Sequence, residues 1–195
     1  GDDEIISTAQ AIEWFDMDGV GRSASRFDMA KLTNLNGHYQ RNADDARLVA
    51  LTIPRLADSH GIAVDETGRA RLLAGMAGLK ERAKDLNELA ENSVFYVRAG
   101  VQPLNDKAEK LLAGDARAVL QANTVALEAV STLDWNEVEL ENAIRGVAET
   151  KNEKLGKVAQ PLRAALTGSN ASPSLFEVMR ILGRDETLAR VRGQA

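Results

Sequence analysis

The sequence predicts an all-α fold built as two consecutive helical-bundle parts, residues 1–101 and 102–195. Three observations carry that prediction. Apolar residues make up 44% of the chain but aromatics only 4%, while alanine and leucine, both strong helix formers, are abundant. Residues suited to helix N-caps precede one apolar-periodic run after another, and Gly or Pro punctuates them. Strand-type alternation persists nowhere, and nothing repeats with a period of 20–50 residues.

Taken in order, Ser7-x-x-Gln10 is a capping box that opens a short helix through Phe15, with Ile12 and Phe15 turned inward. Asp18-Gly19 and Gly21 mark a turn. Asp28 caps a helix that buries Met29, Leu32 and Leu35, and Asn36-Gly37 ends or kinks it. Asp44 to His60 reads as a helix with Leu48, Leu51 and Leu56 on one side, a kink at Pro54 and a stop at Gly61. Asp65 to Gly78 follows, through Ala70, Leu73 and Met76–Ala77. Val94–Val97 is a short apolar run without helical partners. Gly100 to Pro103 reads as a hinge with few contacts expected to cross it. Beyond it, Asp106–Leu112, Asp115–Leu133 and Asn136–Lys151 are helices, the last capped by Asn136 and stapled by Trp135. Trp14, Trp135 and Phe176 are expected in the core.

The stretch from Leu155 to Arg184 organises the rest. Leu155, Val158, Leu162 and Leu166 fall at helical spacing and form one apolar face. Pro161 interrupts it, so the second half of that helix is expected to begin near Gln160. Gly168 is a stop signal. Ser172 is an N-cap with Pro173 at the first helical position, opening Leu175–Leu182. Gln160 and Arg163 are three residues apart and share the face that the leucines leave.

Composition excludes several classes. There is no cysteine, hence no disulfide framework and no thiolate metal site. No apolar run reaches membrane-spanning length, and Gly1-Asp-Asp-Glu is the opposite of a signal peptide. Net charge is −5, but seven basic and three acidic side chains from Lys154 onward give that end +4 and leave −9 for the rest. An acidic body with a basic end suits local contact with an RNA backbone, and equally a basic helix with a solvated face. His38 and His60 are the only histidines; His38 reads as a surface or packing residue, and His60 suits a helix C-terminus. No Ser/His/Asp or Cys/His set assembles, and no phosphate-cradling glycine loop is present. Asp2-Asp3-Glu4 and Asp44-Asp45 read as helix-start acids, so no metal site is expected.

Lys154 to Gly168, Ser172-Pro173-Ser174-Leu175-Phe176-Glu177 and Leu182-Gly183-Arg184 closely resemble the C-terminal region of bacterial glutamyl-tRNA synthetases. That family carries Lys-Leu-Gly-x-Val-Ala-Gln-Pro-Leu-Arg-x-Ala-Leu-Thr-Gly, then Ser/Thr-Pro-Gly-Leu-Phe-Glu and Leu-Gly-Arg/Lys-Glu. Ser174 departs from the family's usual Gly. The segment from Arg26 to Arg41 resembles the family's Phe-Asp-x-x-Lys-Leu-x-x-Met/Leu-Asn-x-x-Tyr-Ile-Arg, with Gln40 departing from its aliphatic residue. Lys80 to Leu89 resembles a further run, and Gly1-Asp-Asp-Glu-Ile5 resembles the sequence that follows the family's catalytic lysine loop.

The resemblance implies a C-terminal half without the catalytic site, made of a tRNA stem-contact part (1–101) and an anticodon-binding helical cage (102–195). In it, Arg163, Gln160, Ser172, Pro173, Leu175 and Arg82 lie against the anticodon, and Lys31 and Arg41 against the tRNA backbone. Arg suits that role because its planar fork pairs with base edges and also stacks. Taken alone, Arg163 reads as a helix-surface ion pair. The implied partners are tRNA(Glu) and the chain's own N-terminal catalytic domain, with no DNA and no membrane. The implied protein is a cytoplasmic monomer. ATP and Mg2+ belong to the parent ligase, and this portion holds no cofactor. Composition alone also allows a helical protein-interaction scaffold without RNA binding.

Overall fold

A computed structural model describes residues 5–21 and 26–195. Asp2, Asp3 and Glu4, named above as acids, lie outside the described residues. Eleven α-helices and a single 3-10 turn make up the described structure, with no strand among the described residues. The first part holds α1 (Thr8–Trp14), α2 (Met29–Asn42), α3 (Asp45–His60), α4 (Glu66–Lys80) and α5 (Leu86–Val97). The second holds α6 (Asp106–Leu111), α7 (Ala116–Glu128), α8 (Glu137–Thr150), α9 (Leu155–Thr167), α10 (Leu175–Leu182) and α11 (Arg184–Gln194).

The capping residues do what the sequence predicts. Ser7 and Gln10 form a full capping box, and Asp28, Asp44, Asp65 and Asn136 each accept backbone N–H bonds at their helix starts. Gly61 and Gly168 close α3 and α9 in the left-handed region, at φ 62° and 71°.

Several predicted faces are wrong, however. Trp14 and Phe15 are exposed and Ile12 is 73% exposed, so α1 buries nothing within the chain. Met29 and Leu32 are exposed on α2. That helix runs through Asn36-Gly37 to Asn42 rather than stopping there, tied on either side of Gly37 to the turn before α5. Asn36 Nδ2 donates to Lys84 O at 2.7 Å and Gln40 Nε2 to Ala83 O at 3.2 Å, while Gly37 lies bare against Lys84. The buried residues of α4 are Gly68, Leu72, Gly75, Met76 and Leu79, whereas Ala70, Leu73 and Ala77 face water; Leu51 on α3 is exposed too. Val94–Val97 is the last turn of α5, capped by Asp85 and buried along most of its length. Helix α7 stops at Glu128, short of Leu133, which is almost fully exposed.

Helix α9 is continuous through Pro161. The bond that Pro161 cannot donate would go to Lys157, and the turn carrying Gly156 and Lys157 is exposed, where a carbonyl left without its helical donor is open to solvent. Trp135 is half-buried, its indole N–H donating to Met179 O at 2.9 Å, and Phe176 packs half-buried against the core.

A single buried cluster runs from Leu48 to Val191 across both parts. Contrary to expectation, the link between them is densely held. Gln102 is buried, Gly100 N–H donates to Glu186 Oε1 at 2.9 Å, and Asn105 N–H donates to Gly168 O at 2.9 Å. Among the described residues no helix is long and apolar enough to cross a membrane.

Candidate nucleic-acid interface

The last turn of α9 and the loop to α10 make one wall of a groove of about 700 Å³, and the end of α4 with α5 makes the other. Arg82, Asn92, Arg98, Asn105, Ser172 and Pro173 are among its lining residues. The loop wall is shaped by local chemistry. Gly168 reverses the chain in a left-handed conformation, and Thr167 Oγ1 donates to Arg163 O and accepts from Ser169 N–H. Pro173 then comes hard against α4. A Cβ added at Gly78 would stand 2.9 Å from Pro173 Cβ and 2.9 Å from Glu177 Oε2, so only glycine lets the loop reach α4 here.

Arg163 sits beneath this loop, half-buried, and holds it. Its Nη1 donates to Pro173 O at 2.8 Å, to Ser172 O at 3.2 Å and to Ser172 Oγ. Neither the ion pair nor a wholly exposed fork is what the side chain shows. Ser172 is not the cap of α10, which begins two residues later behind Ser174; its hydroxyl serves Arg163 and Pro173 O instead. The reason is that the Pro173 carbonyl is already claimed by both side chains, which turns the backbone away from a helical start.

Arg82 is exposed, and its side chain donates to Gly78 O at 3.2 Å. Neither Arg82 nor Arg163 forms an ion pair among the described residues. Burial first, and then the charge of Arg82, hold the Arg163 guanidinium below its ordinary value. Glu177 is the nearby counter-charge. Burial and the charge of Glu137 raise its carboxyl above the usual glutamate range, against the pull of Arg180 and Arg82. The glutamates of the α5 wall are engaged: Glu88 accepts from Lys84 N–H at 2.8 Å, and Glu91 meets His60 at 3.1 Å.

The structure thus brings Arg82, Arg163, Ser172 and Pro173 together. It sets two predicted residues apart. Leu175 is buried in the core rather than forming the groove wall, and Gln160 is half-buried outside the groove lining, its Oε1 shut away without a partner. Lys31 and Arg41 lie far along the chain on α2, Lys31 exposed and Arg41 half-buried. Asn92, Arg98 and Asn105 line the groove but were not singled out from sequence. The signal for Arg98 was its place just past a helix that reads as an isolated apolar run. Among the described residues no group of three or more His, Cys, Asp or Glu could hold a metal ion: Asp44 caps α3, and Asp45 pairs with Lys80 at 2.7 Å.

Most of the basic end is committed internally. Arg184 donates to Glu128 O and Val130 O, Arg180 and Arg192 pair with Glu137 and Glu128, and Lys157 pairs with Glu153. Arg190 is completely buried.

The groove thus sets the exposed Arg82 beside a loop that Arg163 holds from beneath, neither guanidinium in an ion pair among the described residues. A family model described as the anticodon binding domain matches residues 47–195, and the chain belongs to that family. It is 54% identical over 192 residues to glutamate–tRNA ligase 2 of Rhodospirillum rubrum, a match covering 98% of this chain and 41% of that relative. It is 51% identical over 195 residues to glutamate–tRNA ligase 2 of Parvibaculum lavamentivorans, covering 100% of this chain and 39% of that relative. The chain therefore spans about two fifths of the length of these relatives. A crystal structure of a glutamate tRNA ligase from Elizabethkingia meningosepticum in complex with its amino acid shares the fold. Its TM-score is 0.81 at 24% identity, covering 98% of this chain and 37% of that one.

Proposed function

We propose that the chain is the anticodon-reading, C-terminal portion of a glutamate–tRNA ligase and binds tRNA(Glu). The observation that carries this reading is the pair of neighbouring guanidinium groups, Arg82 and Arg163, beside the Ser172-Pro173 loop with no ion pair to neutralise them. Like charges held together outside any ion pair, with Glu177 the nearest counter-charge, suit an occupant that supplies negative charge and hydrogen-bond acceptors, and nucleobases with their phosphates supply both.

Residues 102–195 are the anticodon-binding part in this reading, with Arg163, Ser172, Pro173 and Arg82 at the bases and Gln160 and Leu175 supporting the loop from within. Residues 1–101 form the stem-contact part, with Lys31 and Arg41 against the tRNA backbone. ATP and Mg2+ belong to the catalytic portion of the longer protein. That portion is also the natural partner of the apolar side chains that 12–32 leave exposed, among them Ile12, Phe15, Met17 and Phe27. The protein works as a cytoplasmic monomer and engages neither DNA nor membrane.

Arg82→Ala tests this, because the side chain is exposed and its loss leaves the core intact. A base-edge contact contributes about 1–3 kcal/mol of discrimination. Binding to RNA hairpins carrying a Glu anticodon or a swapped one should show the preference shrinking by roughly ten-fold. A variant that melts like the wild type and keeps the full preference refutes the placement of the site. If the wild-type chain binds neither hairpin, a protein-interaction scaffold is the better reading.

A further inference from the structure

The groove's two walls are the ends of two helices, and both ends converge on one buried side chain. Arg190 of α11 is 0% exposed. Its Nη1 donates to Phe95 O and to Leu166 O, both at 2.8 Å, and its Nη2 donates to Arg98 O at 2.8 Å. Phe95 and Arg98 belong to the last turn and cap of α5; Leu166 belongs to the last turn of α9. These are carbonyls that a helix C-terminus leaves without intrahelical partners, at the negative end of the helix dipole. A guanidinium is the one side chain whose fixed fork can satisfy both ends at once. Glu186 orients that fork: its Oε1 accepts from Arg190 Nε at 2.7 Å and from Gly100 N–H at 2.9 Å.

Arg190 never enters the groove, whose lining is formed by the residues just in front of it: Val94, Phe95 and Arg98 on one side, Thr167 and Gly168 on the other. We propose that Arg190, held by Glu186, is the positioning residue that sets the separation of the groove walls and thereby the fit of the RNA bases between Arg82 and the Ser172-Pro173 loop. The proposal rests on the anticodon-reading function given above. Its physical content is that a rigid charge-assisted bridge fixes the spacing between α5 and α9, which no backbone bond joins directly at that point. The link 99–105 follows the same bridge, since Gln102 Nε2 donates to Arg98 O and Gly100 O, both at 2.8 Å.

Two readouts test it. The chain has no cysteine, so spin labels can be placed at Glu91→Cys and Ala171→Cys, one on each wall. In the background of Arg190→Lys, whose ammonium keeps the charge but loses the fork, the inter-label distance distribution should shift or broaden. Glu186→Gln should give a smaller change in the same direction. An unchanged distribution in a variant that is folded at the measuring temperature overturns the proposal, whatever the RNA data say. In parallel, Arg190→Lys should lower the preference for the Glu anticodon by roughly five-fold or more while leaving the salt dependence of binding unaltered, since no phosphate contact is lost. A full preference in folded Arg190→Lys overturns the proposal even if the walls move. If the wild-type chain shows no anticodon preference, the function fails with it, and the label distances still report whether the bridge sets the walls.

Discussion

Gly168→Ala offers the sharpest test of how the groove is built, with Gly61→Ala as its control. Both glycines end a helix in the left-handed region, at φ 71° and 62°, and both donate back to the preceding turn, at 2.9 and 3.0 Å. An alanine in that region costs about 1 kcal/mol at either site. Around Gly61 a new methyl meets nothing within 4 Å. At Gly168 the same methyl would stand 2.1 Å from Pro103 O, a backbone atom that cannot swing aside. Relieving that contact means moving the link 102–105, and with it the Asn105 N–H bond to Gly168 O. Overpacking of this kind costs about 1–3 kcal/mol, and a weakened hydrogen bond about 1 kcal/mol more. The total for Gly168→Ala is therefore about 4 kcal/mol, against about 1 for Gly61→Ala. For a chain of this size each kcal/mol lowers Tm by about 2–4 °C. Thermal melts followed by circular dichroism should fall by about 2–4 °C for Gly61→Ala and about 8–16 °C for Gly168→Ala. Variants that melt within about 2 °C of each other would show that the link does not press on the α9 terminus, and the described wall would be wrong.

Two further outcomes follow from the Arg190 bridge. Arg190→Ala strips Phe95 O and Leu166 O of the guanidinium and leaves Glu186 without its counter-charge; breaking a buried pair from one side costs about 3–5 kcal/mol, so urea denaturation should show a loss of that order rather than the near-zero effect of a surface charge. Burial pushes the Glu186 carboxyl up, but the bonds from Arg190 and Gly100 and the charges of Arg190 and Arg71 outweigh it, so its folded pKa lies below its unfolded one. The stabilisation is then present above the unfolded value of about 4.3 and lost as pH falls through the folded pKa, so Glu186→Gln should flatten the decline in Tm below about pH 4.5, and an unchanged acid limb would refute the assignment.

The parts of the fold that were legible are those decided by neighbours in sequence. Asp28, Asp44, Asp65 and Asn136 cap helices because an acceptor three residues from a free N–H is a local fact. What sequence misplaced was decided by packing. Val94–Val97 shows no helical period because the last turn of α5 carries four apolar residues in a row, while the polar face of that helix, at Asn87, Glu88, Glu91 and Asn92, lies earlier in the chain. Met29 and Ile12 look like core residues, but the surface that would cover them is not supplied by the described chain. Ser172-Pro173 has the form of a helix start, yet Arg163 takes the Ser172 and Pro173 carbonyls that its first turn would have used. Of the candidate site, the clustering of Arg82 with Arg163 and Ser172-Pro173 came through the resemblance, while the groove's other wall at Asn92 and Arg98 depended on recognising α5.

The formal charge of the C-terminal end overstates how much of it is open to a partner. Six of the seven basic residues from Lys154 onward make hydrogen bonds or ion pairs inside the chain, so the +4 of that end is not an open patch. Counterion release counts phosphates actually neutralised, not formal charge. The salt dependence of tRNA binding should therefore owe little to the C-terminal arginines, and in the proposed reading it follows the stem-contact residues Lys31 and Arg41 on α2. Lys31→Ala and Arg41→Ala should each reduce the slope of log K against log salt by about 1. The double change Arg184→Gln with Arg192→Gln should leave that slope as it is, even though it removes two formal charges. It costs some stability, because Arg184 holds Glu128 O and Val130 O and Arg192 pairs with Glu128, so the comparison is made well below the melting transition. A slope that drops with the C-terminal pair and ignores α2 would mean that RNA lies along α11, and that those internal pairs open when it binds.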